Sequence, residues 1–255
     1  RHAALKSAYT NAMAEYFAFT TENSSGAGFG LFSVWHLLWL LSGAMFIFSM
    51  CIVYRRAGTE ARIWLKRGLA LSALFLELLR AALLMAAGRY GVGRLPLHLC
   101  GMAVYICAVH ALRGGGKTGQ FLYSFCMPGA AAALIFPDWS GYPPLHFMTC
   151  AGFGIHILLV AYVLTQAVSG GIAPDIRKAP ACLGIMLALA VPVYLFDRLA
   201  GTNYMFLNWP SPGSPLEWFA FLGRPGYVLG YLPILGAVWA VIYYPFRRKK
   251  SADRQ

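Results

Sequence analysis

Leu95-Pro96-Leu97-His98-Leu99-Cys100 opens the run LPLHLCGMAVYICAVHAL over residues 95–112, which holds no Lys, Arg, Asp or Glu. As a helix it would extend about 27 Å, close to the roughly 30 Å of a bilayer's hydrocarbon core. It carries two histidines and two cysteines, and ionisable side chains within a span are costly and mark functional sites more often than not. Working outward, similar runs are predicted as spans at 31–53, 69–87, 119–136, 145–169, 181–196 and 226–244. The chain therefore reads as an all-α, polytopic transmembrane bundle of about seven spans. It forms one domain over 1–255: an interfacial segment at 1–28, the bundle at 29–246, and a basic cytoplasmic tail at 247–255. An amphipathic helix lying on the membrane surface is expected at 3–19, and no cleavable signal peptide is expected at this end.

Composition narrows the class. Only 12% of the 255 residues are charged, about half the share of a soluble domain. The apolar runs are continuous rather than alternating, which argues against a β-barrel. The formal charge of +12 would suggest nucleic acid in a soluble protein. Here no long basic soluble segment exists, so no nucleic-acid partner is expected and the charge is assigned to lipid headgroups and orientation. The six cysteines, 51, 100, 107, 126, 150 and 182, all fall in apolar segments without a CxxC pair, so they do not form a secreted disulfide framework.

Basic residues orient the bundle. The first, third and fifth loops and the C-terminal tail hold fourteen Lys and Arg, against six in the N-terminal segment and the other loops. Arg80 is the remaining one. The excess places the C-terminus in the cytoplasm and the N-terminus outside. The short cytoplasmic loops leave no room for a soluble catalytic domain on that side.

In that orientation several polar residues gather toward the outside. Cys100 is expected about five residues into its span, roughly 8 Å deep, and His156 about eleven residues in, on the order of 15 Å. His98, His36, His146 and Cys150 lie near outer helix ends, below a proline-rich connection that carries Asn203, Tyr204, Asn208 and Glu217. A histidine at a helix end can be an inert interfacial residue, and His110, near an inner end, reads that way. A lone buried cysteine is also ordinary. Cys100 with His156 is different, because a thiol becomes a useful nucleophile where an imidazole accepts its proton or stabilises the thiolate. His98, two residues from Cys100, is expected to face the other side of the helix. Pro96 is expected in the first helical turn. Glu77 and Arg80, one turn apart, are expected to pair. That pair either locks the second helix among its neighbours or serves a headgroup or a histidine.

The hexapeptide at 95–100 resembles the signature of the YwaF-like integral membrane proteins, whose eukaryotic relative is transmembrane protein 164. Further motifs follow in the family's order. They are Phe32-Ser33-Val34-Trp35-His36-Leu37, Phe136-Pro137-Asp138, Gly154-Ile155-His156-Ile157-Leu158 and Gly201-Thr202-Asn203-Tyr204-Met205-Phe206-Leu207, and then Pro210, Gly223, Pro225 and Tyr227. The resemblance implies a cysteine-dependent acyltransferase acting on phospholipids, related to the androgen-induced membrane hydrolases. By position it implies Cys100 as nucleophile and His156 as general base. His146 and Cys150 supply a second histidine and thiol, so the identity of base and nucleophile stays open between the two pairs. The oxyanion donors are sought among His98, Asn203 and Tyr204. Arg89, Arg94, Arg198 and Arg224 are placed to attract phosphate. No metal or other cofactor is called for; the expected partners are membrane phospholipids or lysolipids, and the expected location is a bacterial cytoplasmic membrane.

Three other readings compete. A seven-helix zinc lipid hydrolase would draw on His36, His98, His146, His156 and Asp197, but the chain has no HxxxH pair. A haem carrier would need histidine pairs on facing helices. A transporter would use Glu77, Arg80, Pro128 and Pro192 in broken helices, and would place its polar residues at mid-membrane.

Overall fold

The computed structural model describes residues 28–247. The amphipathic helix expected at 3–19 and the basic tail beyond Arg247 lie outside the described residues. Those residues are helical and contain no strand. In chain order the helices are α1 (Val34–Arg56), α2 (Thr59–Ala86), α3 (Leu99–Arg113), α4 (Gly116–Phe121), α5 (Met127–Ile135), α6 (Phe147–Ser169), α7 (Ala179–Ala200) and α8 (Tyr231–Arg247). Five segments are long and apolar enough to cross a membrane: Val34–Arg56, Thr59–Ala86, Phe147–Ser169, Ile176–Ala200 and Gly226–Phe246. α3 is apolar but shorter. Large apolar side chains face outward along the bundle, among them Val34, Met45, Phe48, Phe75, Leu195, Leu232 and Val241. A soluble surface would break such patches up; lipid accepts them.

α6 is the centre. In its most apolar window 56% of residues are buried, against 11% in α1. It packs against α1, α2, α3 and α5. Small residues let these helices approach closely, the usual means of packing helices in lipid. A Cβ on Gly43 of α1, for example, would come within 2.9 Å of Ile157 of α6. Trp39 stacks on Phe153 with centroids 4.9 Å apart and donates Nε1–H to Pro144 O (3.0 Å), fixing α1 against the start of α6.

Element boundaries differ from the sequence reading where polar residues serve helix ends. The basic stretch read as a loop at 54–67 is almost wholly helical. Only Ala57 and Gly58 separate α1 from α2. Arg62 on α2 explains this: its Nε and Nη2 donate to Tyr54 O (3.0 Å) and Arg55 O (2.8 Å), two of the carbonyls the end of α1 leaves open. α3 begins at Leu99, not 95, with His98 as its N-cap in extended conformation. Pro96 therefore precedes the helix rather than starting it. The connection at 197–227 is not irregular throughout; it holds 3-10 turns at Tyr204–Phe206 and Pro215–Leu222 and the start of another at Gly226–Gly230.

The span read at 119–136 is interrupted. A π-helical turn, Leu122–Cys126, joins α4 to α5, immediately before Pro128. Proline has no N–H to give to the carbonyl four residues back, here Ser124 O, and its ring crowds that carbonyl. The wider turn relieves the crowding, and Trp239 of α8 donates Nε1–H to Ser124 O (2.9 Å). Around this join Gln120, Ser124 and Tyr243 are buried and mutually hydrogen-bonded. Tyr123 hydroxyl donates to Ile242 O. The proline thus explains why α8 docks where it does.

Trp239→Phe should leave Ser124 O without a donor and cost about 1–3 kcal/mol. Combined with Pro128→Ala, which restores an N–H for that carbonyl, the same change should cost less. Thermal unfolding of the single and double variants in detergent checks this; equal losses in both backgrounds would separate Trp239 from the proline.

Candidate functional site

One end of the bundle gathers the expected polar residues. α3 and α6 begin there. α5 finishes there too, since His36 near the start of α1 reaches Leu134 O near the end of α5. The turn after α7 closes over it: Tyr204 accepts Leu95 N–H on its hydroxyl (2.8 Å) and donates to Val92 O (2.6 Å). Burial pushes the Tyr204 hydroxyl's pKa up, so it remains a donor at neutral pH.

Cys100 is the second residue of α3. It sits in the first turn, shallower than a helix starting at 95 would put it, and is half-buried. Among the described residues its thiol makes no hydrogen bond. His98 does not sit on the helix with it, so their expected placement on opposite faces does not apply. Instead His98 Nδ1 accepts Met205 N–H (3.2 Å), and its ring meets Tyr204 edge-on at 5.0 Å. Because an N–H donates to Nδ1, the neutral ring carries its proton on Nε2. His98 therefore offers an N–H donor.

His156 has the opposite arrangement. Its Nδ1–H donates to Gly152 O (2.6 Å), so in the neutral ring Nε2 holds a free lone pair, as a general base requires. Trp139 stacks on the ring at 4.8 Å and holds its plane. The stack depends on Gly152: a Cβ there would come within 2.7 Å of the Trp139 ring. His98, Cys100 and His156 all lie within electrostatic reach of the exposed Asp138 carboxylate. His156 is also within reach of His98 and Arg80, and Cys100 of Glu77. No hydrogen bond joins Cys100 to His156.

The other expected residues are engaged in holding the fold. His36 is wholly buried, accepts Phe32 N–H on Nδ1 (2.9 Å) and donates from Nε2 to Leu134 O (2.9 Å), so neither nitrogen is free. His146 caps α6, accepting Met148 N–H (3.1 Å), and stacks on Tyr142 at 4.9 Å. Cys150 donates to Leu145 O (3.5 Å). Asn203 closes its own loop: Oδ1 accepts from Asn208 N and Trp209 N, and Nδ2 donates to Trp209 O. Glu77 and Arg80 pair through two guanidinium nitrogens, the shortest contact being 2.7 Å. His110 is buried and bonded to Tyr162 hydroxyl (2.7 Å), not interfacial as its position suggested. Sequence reasoning missed the roles of Trp139, Asp138 and Asp197. The Gly152-x-x-x-His156 spacing was the available signal for Trp139, since a glycine one turn before a buried histidine leaves room for a ring.

Among the described residues no three His, Cys, Asp or Glu side chains converge as metal ligands. A shallow groove between α1 and α6, lined by Ser42, Gly43, Phe46, Gly154, Ile157 and Leu158, carries none of the candidate residues.

An all-helical bundle with lipid-facing apolar helices and a polar cluster at one end defines an integral membrane protein. Residues 31–243 match the family model described as the TMEM164 family. The chain belongs to that family. No curated protein and no solved structure matches it.

Gly152→Ala should destabilise the fold by about 1–3 kcal/mol through overpacking against Trp139, partly offset by alanine's better helix propensity. Gly154→Ala, whose Cβ would meet Leu76 at a looser 3.3 Å, should be close to neutral. Paired thermal denaturation curves decide between these outcomes.

Proposed function

We propose that the chain is a membrane-embedded acyl-transfer enzyme acting on phospholipids or lysophospholipids, with Cys100 as nucleophile and His156 as general base. The observation that carries this reading is the hydrogen bond from His156 Nδ1–H to Gly152 O. It leaves the Nε2 lone pair free on a ring whose charged neighbour Asp138 also acts on the Cys100 thiol. His146, by contrast, spends Nδ1 on its helix cap, which favours His156 over it. Family membership supports the same roles by position.

In the first half-reaction His156 Nε2 takes the Cys100 proton, and Sγ attacks the ester carbonyl of a lipid. The S–C bond forms, the ester C–O bond breaks, and the leaving lysolipid alkoxide takes the proton back from His156. In the second, a lysolipid hydroxyl or water gives its proton to Nε2 and attacks the thioester, and the thiol leaves with that proton. His98 Nε2–H is the donor best suited to the oxyanion. Tyr204 and Asn203 use their polar groups on the loop instead. Cys100 and His156 come into contact when substrate binds, as catalytic hydrogen bonds commonly tighten only in the complex. Arg80, with a side chain 25% exposed beside Glu77, together with Arg89, Arg94, Arg198 and Arg224, supplies positive charge for the lipid phosphate. His36 and His146 anchor the helices that frame the site.

The same reading takes α3 and the broken α4–α5 unit as crossings alongside the five longer ones. That makes seven, with the N-terminus outside, the C-terminus inside, and a bacterial cytoplasmic membrane as the location.

Cys100→Ala should abolish transfer from a phospholipid to a lysolipid by purified protein in vesicles. His156→Ala should lower it by about 10²–10⁴-fold, the usual share of a general base. Cys150→Ala and His146→Ala should retain transfer at wild-type order, provided the protein is folded. Full transfer by Cys100→Ala would sink the nucleophile assignment.

A further inference from the structure

The turn after α7 is held in a costly conformation by a residue outside the proposed reaction. Met205 and Phe206 both lie in the left-handed region, with φ 53° and 52°, which side-chain-bearing residues rarely occupy. Such turns persist only when their surroundings fix them. Here four groups do so from outside. Tyr204 N–H donates to Asp197 Oδ1 (2.9 Å) and Met205 N–H donates to His98 Nδ1 (3.2 Å). Tyr231 hydroxyl donates to Met205 O (2.8 Å), and Tyr227 hydroxyl to Phe206 O (2.7 Å). Two successive N–H groups of one strained turn thus point at a carboxylate and at an imidazole.

Asp197 is wholly buried in the last turn of α7. Its Oδ1 accepts Thr202 Oγ1–H (2.6 Å) as well as Tyr204 N–H, while among the described residues Oδ2 has no hydrogen-bond partner. A buried carboxylate with one oxygen unpartnered among the described residues is an expensive way to tie down a turn, and an amide or hydroxyl would accept the same N–H at less cost. What a carboxylate adds is stronger, charge-assisted bonds from Oδ1, and these land on the peptide group next to the one that holds His98.

We propose that Asp197 is a positioning residue: by fixing the Tyr204–Met205 turn, it keeps Met205 N–H aimed at His98 Nδ1 and so holds His98 as a standing Nε2–H donor for the reacting centre. The use of that donor as an oxyanion ligand rests on the acyl-transfer reading; the control of the tautomer does not. A role confined to tying Thr202 and Tyr204 to the end of α7 would lower stability in Asp197 variants and leave the His98 proton where it is.

The test is nitrogen NMR of the full chain, ¹⁵N-labelled at histidine, in lipid nanodiscs above pH 8, with His98 assigned by its loss in His98→Gln. Wild type should show His98 protonated on Nε2 alone. Asp197→Asn keeps an oxygen acceptor for Tyr204 N–H and should keep that tautomer. Asp197→Ala should show a mixture of the two tautomers. Nδ1–H in wild type, or a single unchanged Nε2–H tautomer in folded Asp197→Ala, would overturn the proposal. If Asp197→Ala does not fold, Asp197→Leu, which fills similar space without an acceptor for Tyr204 N–H, takes its place: a mixture of tautomers supports the proposal, and a single unchanged Nε2–H tautomer overturns it. In the transfer assay Asp197→Ala should lower kcat by up to about 10²–10³-fold, the loss on removing an oxyanion donor, with KM little changed. A tautomer that behaves as expected, alongside full transfer by Cys100→Ala, would leave the positioning role standing and remove the acyl-transfer reading.

Discussion

Lipid offers no hydrogen bonds, so each polar group this chain carries into the bundle must find its partner within the protein. Much of the architecture follows from that one requirement. A proline in α5 deprives a carbonyl of its donor, and a tryptophan from the last helix supplies one. An arginine at the start of α2 closes the open end of α1. A tyrosine hydroxyl satisfies two groups in the approach to α3. These bonds connect segments far apart in sequence, so the cost of leaving a group unpaired becomes the force that sets which helices touch.

The same requirement sorts the histidines. His36 has both nitrogens engaged and works as a cross-brace between α1 and α5. His146 ends a helix and stacks on a tyrosine. His98 and His156 each spend only Nδ1 on the fold, one as acceptor and one as donor, so the remaining nitrogens have opposite character. One carries a proton and the other a lone pair. Neutral imidazoles supply both kinds here because their main-chain partners differ: Gly152 O takes a proton from one, and Met205 N–H gives one to the other.

The class of fold was legible because long uncharged runs have few alternatives in water or lipid. That α3 and α6 begin at one end of the bundle was legible too, since a single apolar run lies between them. Helix ends were less so. Arg62, Lys66 and Arg67 look like loop charges, yet they lie on the first turns of α2, one of them capping its neighbour. The start of α3 was misplaced because Pro96 suits a first turn equally well as an entering strand. Trp139, Asp197 and the Met205–Phe206 turn were not legible. Their roles arise from contacts across the bundle, and no local pattern records that an aspartate at the end of α7 governs a histidine a hundred residues earlier.

That last separation bears on how the protein is made. The hexapeptide emerges before its partners: the tyrosine that clamps its approach and the turn that sets its histidine come more than a hundred residues later, and Tyr227 and Tyr231 later still. Until those residues arrive, His98 has no partner to choose its proton's place, and the approach to Cys100 hangs from one end only. The surroundings of the hexapeptide become complete only once the segment through Tyr231 has been inserted.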